Sequence, residues 1–242
     1  MRKQTIIPPQ KRRLINRLWK PLIALFLTMI GLHFATAAND WRTLAAGIEY
    51  QDMASTHFTP WSHIHTFRIN LQKNTLSLTT AKKIKRDFAS AEDFAQFSHA
   101  LIAINGGFFD KNYNPLGLRI CDHHQLSPLK SISWWGVFYI RDQQAYLSNV
   151  KQFKSTKRID FAIQSGPRLL INGYIPPLRA GKAERSALGI TRDGQIIILV
   201  TEHAAMSTTD LAKLMKEPPL NCLHALNLDG GSSRSEERRV GK

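Results

Sequence analysis

The chain has 242 residues, 43% of them hydrophobic, and a formal net charge of +15. That is enough apolar material for one sizeable core or two small ones. The charge is too unevenly spread to mark a nucleic-acid binder: residues 1–20 carry +7 and residues 234–242 carry +2, leaving +6 for the body 38–233.

The N-terminal charge block has a specific reading. A basic region ends at Lys20, the run "PLIALFLTMIGLHF" is apolar, and "ATAAND" then offers small residues. Basic, apolar, then A-x-A is the layout of a secretory signal peptide, expected over 1–37 with cleavage after Ala37 or Ala38. An uncleaved membrane anchor is the alternative, since residues 21–38 approach the length needed to span a bilayer. Export to the periplasm or beyond would make a Cys121–Cys222 disulfide chemically possible, with two buried free thiols as the other option.

Past residue 38 no repeat, low-complexity linker or further boundary interrupts the chain, so one domain is expected over 38–233. Apolar or alternating runs predict strands at 45–53, 63–71, 75–80, 100–105, 134–140, 144–150, 161–166, 168–174, 186–191, 195–202 and 223–229. Two segments read as helices. "SAEDFAQFSHA" opens on Ser90 with Asp93 three positions on, a capping-box pattern. "STTDLAKLMKE" repeats it with Ser207 and Asp210, and Pro218-Pro219 stop it. Many strands and few helices make an α+β domain on a large mixed or antiparallel sheet.

The two helices are followed by "ALIAINGGFFD" and "HALNLDGGSSR". Each sets a polar side chain, Asn105 or Asp229, where an apolar run ends, and then a glycine pair, Gly106-Gly107 or Gly230-Gly231. Glycine there lets the backbone turn or lets a ligand come close. N-G and D-G are also ordinary turn sequences. Between them, "AIQSGPRLLINGY" reads as a hairpin broken at Ser165-Gly166-Pro167, with Gln164 at its mouth. Arg185 precedes an alternating strand and could offer its planar fork of donors to a phosphate or carboxylate. His63 with His65, and the "CDHH" cluster at 121–124, lack the spacing of a zinc box, so neither a metal nor another cofactor is expected. There is no GxSxG elbow, GxxxxGK[ST] loop, GxGxxG fingerprint or HExxH.

Taken in order, "AINGGFFD…PLGL", "QSGPRLLINGY", "ERSALGI…DGQIIILV" and "ALNLDGGSS" resemble the phosphodiester glycosidase family over residues 101–233. The resemblance implies an α+β fold and cleavage of a small or polymeric sugar-1-phosphodiester between the anomeric carbon and the phosphate oxygen. Carried over by position, it implies Asp229, Arg185 and Asn105 as catalytic residues, and Gly106, Gly107, Gln164, Gly166, Gly230, Gly231 and Ser232 as substrate-binding positions. Arg185 would hold the phosphate; Asp229 would act as base, nucleophile or stabiliser of an oxocarbenium-like state. Glu184 and Glu202 are candidates for a second carboxylate. The chain departs from the pattern at Glu202-His203, in an unusual "CDHHQ" loop, and after Ser233. There "RSEERRVGK" reads as a non-native tail over 234–242, joined to a domain expected to continue. The expected activity is that of an exported hydrolase touching membrane only through its signal segment. A non-catalytic glycan-binding envelope protein on the same scaffold is the alternative.

Overall fold

The computed structural model describes residues 41–53, 61–87, 89–110, 112 and 114–230. The expected signal segment, the tail 234–242, Gly231 and Ser232 lie outside the described residues. No helix among the described residues is long and apolar enough to cross a membrane.

Strands β1 (Arg42–Ala45), β2 (Ile48–Asp52) and β3 (His63–Ile69) form a meander. Helix α1 (Ala91–Ser98) follows, and its cap is the one expected: Ser90 accepts from the Asp93 N–H while the Asp93 side chain accepts from the Ser90 N–H. Next come β4 (Arg119–Cys121), β5 (His124–Ser127), β6 (Gly136–Arg141), β7 (Gln144–Asn149), β8 (Ile159–Ser165) and β9 (Arg168–Leu170). The chain then forms β10 (Lys182–Ala183), β11 (Ser186–Thr191), β12 (Ile196–Glu202), β13 (Met206–Ser207), helix α2 (Thr208–Lys216) and β14 (Cys222–Asn227).

Three antiparallel sheets result. The largest runs β1-β2-β3-β12-β11-β14-β9, a second runs β5-β4-β8-β6-β7, and β10 pairs with β13. Alternation along the seven-stranded sheet explains its two apolar faces. One face carries Ile64, Leu199, Ala187 and Ala225 and is covered by Leu211, Ala212 and Met215 of α2. The other carries Ile198, Val200, Leu188, Leu226 and Leu228 and packs on Phe138, Ile140, Phe161 and Ile163 of the five-stranded sheet. Two stacked sheets with a helix outside are thus the form the expected α+β domain takes.

Two local expectations are corrected. Residues 75–80 and 100–105 join no ladder, although Leu76, Leu78, Ile102 and Ile104 pack against the inter-sheet core. Burial, not strand pairing, accounts for their apolar character. The segment at Gly166-Pro167 is no hairpin: β8 lies in the five-stranded sheet and β9 in the seven-stranded one, so the chain changes sheet there. The "CDHHQ" stretch is a tight hairpin, with Asp122 and His123 both at positive φ between β4 and β5. Cys121 and Cys222 are buried free thiols.

Candidate active site

The two glycine turns meet. Asp229 lies just past β14, and its N–H donates to the Gly106 carbonyl at 3.1 Å. One residue earlier, the Leu228 N–H donates to the Ser186 carbonyl at 2.8 Å. Gly230 then lies so close to the start of β11 that a Cβ on it would sit 2.3 Å from Ser186 N and 2.7 Å from Arg185 Cα. No larger residue fits between these backbones. Arg185 is itself anchored, its N–H donating to Thr201 Oγ1 at 2.7 Å. Segments as far apart in sequence as Gly106 and Gly230 are therefore drawn into one junction of backbone contacts.

The charges at this junction are unequally satisfied. Asp229 is half-buried, and its carboxylate makes no hydrogen bond or ion pair among the described residues. Arg185 donates from Nε to the Met206 carbonyl at 2.9 Å and from Nη2 to the Gly181 carbonyl at 2.8 Å. Burial lowers its pKa, and no acid pairs with it among the described residues. Asn105 lines a cleft of about 330 Å³ together with His65, Phe67, Ala91, residues 101–104, Ser186 and Val200. Asp229 and Arg185 stand beside this cleft, tied to it through Gly106 and Ser186, rather than lining it.

The remaining sequence-predicted residues divide by role. Gln164 is fully buried, and its amide is engaged with backbone: Oε1 accepts from Leu118 and Lys130 N–H groups at 2.9 Å, and Nε2 donates to the Lys130 carbonyl at 2.7 Å. From β8 it pins the residue before β4 and the segment between β5 and β6. Gly166 admits the Trp135 ring, which would be 2.5 Å from a Cβ there, and its carbonyl accepts from Asn227 Nδ2 at 3.2 Å. The sheet-changing segment is thereby fastened to β14 two residues before Asp229. Glu184 accepts from the His203 N–H at 3.0 Å, holding the turn after β12. Glu202 reaches His65 Nε2 at 3.4 Å, while His65 Nδ1 meets the Tyr50 hydroxyl at 2.9 Å. His63 is taken by Asp52 and stacks on His65 with ring centroids 5.4 Å apart. Of the two carboxylate candidates, Glu202 is the one joined to a cleft-lining side chain.

Sequence reasoning passed over Arg119, which follows the "PLGL" motif inside an apolar strand. It is 6% exposed, and burial pushes its pKa down to about 10. Its Nη1 donates to the Leu118 and Gln164 carbonyls at 2.8 and 2.9 Å. A charge in the frame "GLRIC" was the available signal, because a charge inside a fully apolar strand needs a reason. Nearby, Trp135 Nε1, Ser165 Oγ, Arg168 Nε and Asn227 Oδ1 are buried without hydrogen-bond partners among the described residues.

A family model described as phosphodiester glycosidase matches residues 98–236. Uncharacterized protein YigE of Escherichia coli (strain K12) is 35% identical over 141 residues, 53% of this chain and 55% of that protein. The chain thus spans about half the length of the curated relative it matches. A solved structure shares the fold with a TM-score of 0.60 at 20% identity, over 79% of this chain and 74% of that one. It is the zebrafish N-acetylglucosamine-1-phosphodiester alpha-N-acetylglucosaminidase catalytic domain, auto-inhibited by its pro-peptide.

Proposed function

This chain belongs to the phosphodiester glycosidase family, and on that premise we propose that it is an exported hydrolase of sugar-1-phosphodiesters, acting on envelope or extracellular glycopolymers. The observation that carries the reading is the junction itself. A half-buried carboxylate with no partner among the described residues, Asp229, is held by its own backbone against Gly106, next to a cleft lined by Asn105.

The chemistry suits those parts. A phosphate ester is a good leaving group, so the protein chiefly has to stabilise charge and position water. Asp229 faces the positive charge that develops at the anomeric carbon, or takes a proton from the attacking water. Asn105 orients hydroxyl groups of the sugar. Arg185 raises the positive potential beside the junction. The basic, apolar and small-residue layout of residues 1–38 supports export.

Sugar release from a panel of sugar-1-phosphodiesters tests the reading, with Asp229→Asn beside the wild type. Loss of roughly a hundredfold or more in turnover is expected from a protein that melts like the wild type. Unchanged turnover in the variant would remove Asp229 from the mechanism. Mass spectrometry of the mature N-terminus tests export, with a start at Ala38 or Asn39 as the expected result.

A further inference from the structure

We propose that Arg119 is the cation that receives the substrate's phosphate, reaching it through the gap left by the missing side chain of Gly107. The inference rests on the hydrolase reading but adds a polarity to the site.

A guanidinium that is nine-tenths buried normally has a carboxylate beside it, because taking a charge out of water is costly unless it is paired. Arg119 has none among the described residues. Two backbone carbonyls hold Nη1, and Nη2 makes no hydrogen bond among the described residues. Nη2 stands where a side chain at 107 would be: a Cβ there would lie 2.3 Å from it. The protein therefore holds a rigid, desolvated cation against the Asn105-Gly106-Gly107 turn and supplies no anion for it among the described residues. An anion from outside completes the pair.

The turn separates this cation from Asp229. Gly107 borders Arg119, and Gly106 accepts the Asp229 N–H. A sugar-1-phosphodiester laid across the turn would set its phosphate on the Arg119 side and its anomeric carbon on the Asp229 side. When the C1–O bond breaks, its electron pair stays on the phosphate oxygen, giving a phosphomonoester with one more negative charge, which Arg119 offsets. Water adds its oxygen to C1 and loses its proton to solvent.

Calorimetric titration with glycerol 3-phosphate, a phosphomonoester, measures this without turnover. It would be run on the wild type, Arg119→Met and Arg119→Lys, with glycerol as the neutral control. The wild type is expected to bind glycerol 3-phosphate and to gain melting temperature from it, with no response to glycerol. In Arg119→Met the affinity should fall about tenfold or more, the loss of a charge-assisted hydrogen bond. Its melting temperature should fall only modestly, because losing the two Nη1 bonds to carbonyls is offset by no longer burying an unpaired charge. Arg119→Lys, which keeps charge but not the clamped fork, should fall between them. Equal affinity in folded Arg119→Met, or a wild type that neither binds nor is stabilised by glycerol 3-phosphate, overturns the proposal. Should the Met variant not fold, the Lys variant and the wild-type melting shift decide the matter. Because the readout is binding, it can fail while sugar release succeeds, and the reverse.

Discussion

Replacing Gly230 by alanine tests whether the junction depends on backbone contact. Gly230 does not occupy a positive φ, so its conformation is open to any residue and the perturbation is purely steric. The added methyl would sit 2.3 Å from Ser186 N, 2.5 Å from the Arg185 carbonyl carbon and 2.7 Å from Arg185 Cα. Ordinary contact is about 3.5 Å, so either the turn or the start of β11 must move by roughly 1 Å. All three obstacles are main chain, so no side-chain rotation relieves the clash. Overpacking of this kind costs up to about 3 kcal/mol. At about 2–4 °C per kcal/mol for a domain of this size, the melting temperature should fall by roughly 6–12 °C. Gly194→Ala is the matched control. Its φ is +80° with nothing within 4 Å of an added Cβ, so only the left-handed penalty of about 1–2 kcal/mol applies. Thermal unfolding of both variants, with sugar release measured well below each transition, separates the effects. Gly230→Ala should lose turnover as well as stability, and Gly194→Ala stability alone. A Gly230→Ala protein as stable and active as the wild type would refute the close approach.

Three further outcomes follow from the same geometry. Gln164→Leu strands the buried Leu118 N–H and takes the partners of the more exposed Lys130 N–H and carbonyl, and should cost about 1–3 kcal/mol in urea denaturation. Burial pushes the Asp52 carboxyl up, but hydrogen bonds from His63 and the Ile64 N–H outweigh it, and its pKa lies below the usual range. A depressed carboxyl stabilises the fold above its unfolded pKa of about 4 and loses that contribution as pH falls through the folded value. The melting difference between wild type and Asp52→Asn should therefore be full at neutral pH and vanish in acid; a difference independent of pH would contradict it. Burial pushes the Cys222 thiol up to about 12, so at pH 8 an aromatic disulfide reagent should leave it unreacted until the protein is denatured.

Features governed by local chemistry were legible in the sequence. Ser90 with Asp93, and Ser207 with Asp210 ahead of Pro218-Pro219, mark helices because capping is decided within a turn of chain. The two glycine turns could also be singled out, and the structure joins them through Asp229 and Gly106. Pairing was less readable. Ile102 and Ile104 advertise burial equally well in a ladder or beside one, so their run did not reveal that it joins no sheet. Ser165-Gly166-Pro167 announces a change of direction, but which sheet receives β9 depends on β14, more than fifty residues away. Arg119, a charge in the apolar frame "GLRIC", was only partly legible for a related reason. Residue type alone does not say whether an arginine is buried or what stands beside it, and the meaning of this one comes from the absence of a side chain at Gly107.

The central claim is that the glycosidic bond, not the phosphorus–oxygen bond, is cut. Hydrolysis of a sugar-1-phosphodiester in ¹⁸O-labelled water, followed by ³¹P NMR of the phosphomonoester product, tests it most directly. Attack at the anomeric carbon leaves every original oxygen on phosphorus, so the account predicts a phosphomonoester free of ¹⁸O and label in the sugar at first turnover. An ¹⁸O-shifted phosphorus signal would mean that water attacks phosphorus, and the role given to Asp229 at the anomeric carbon would fall.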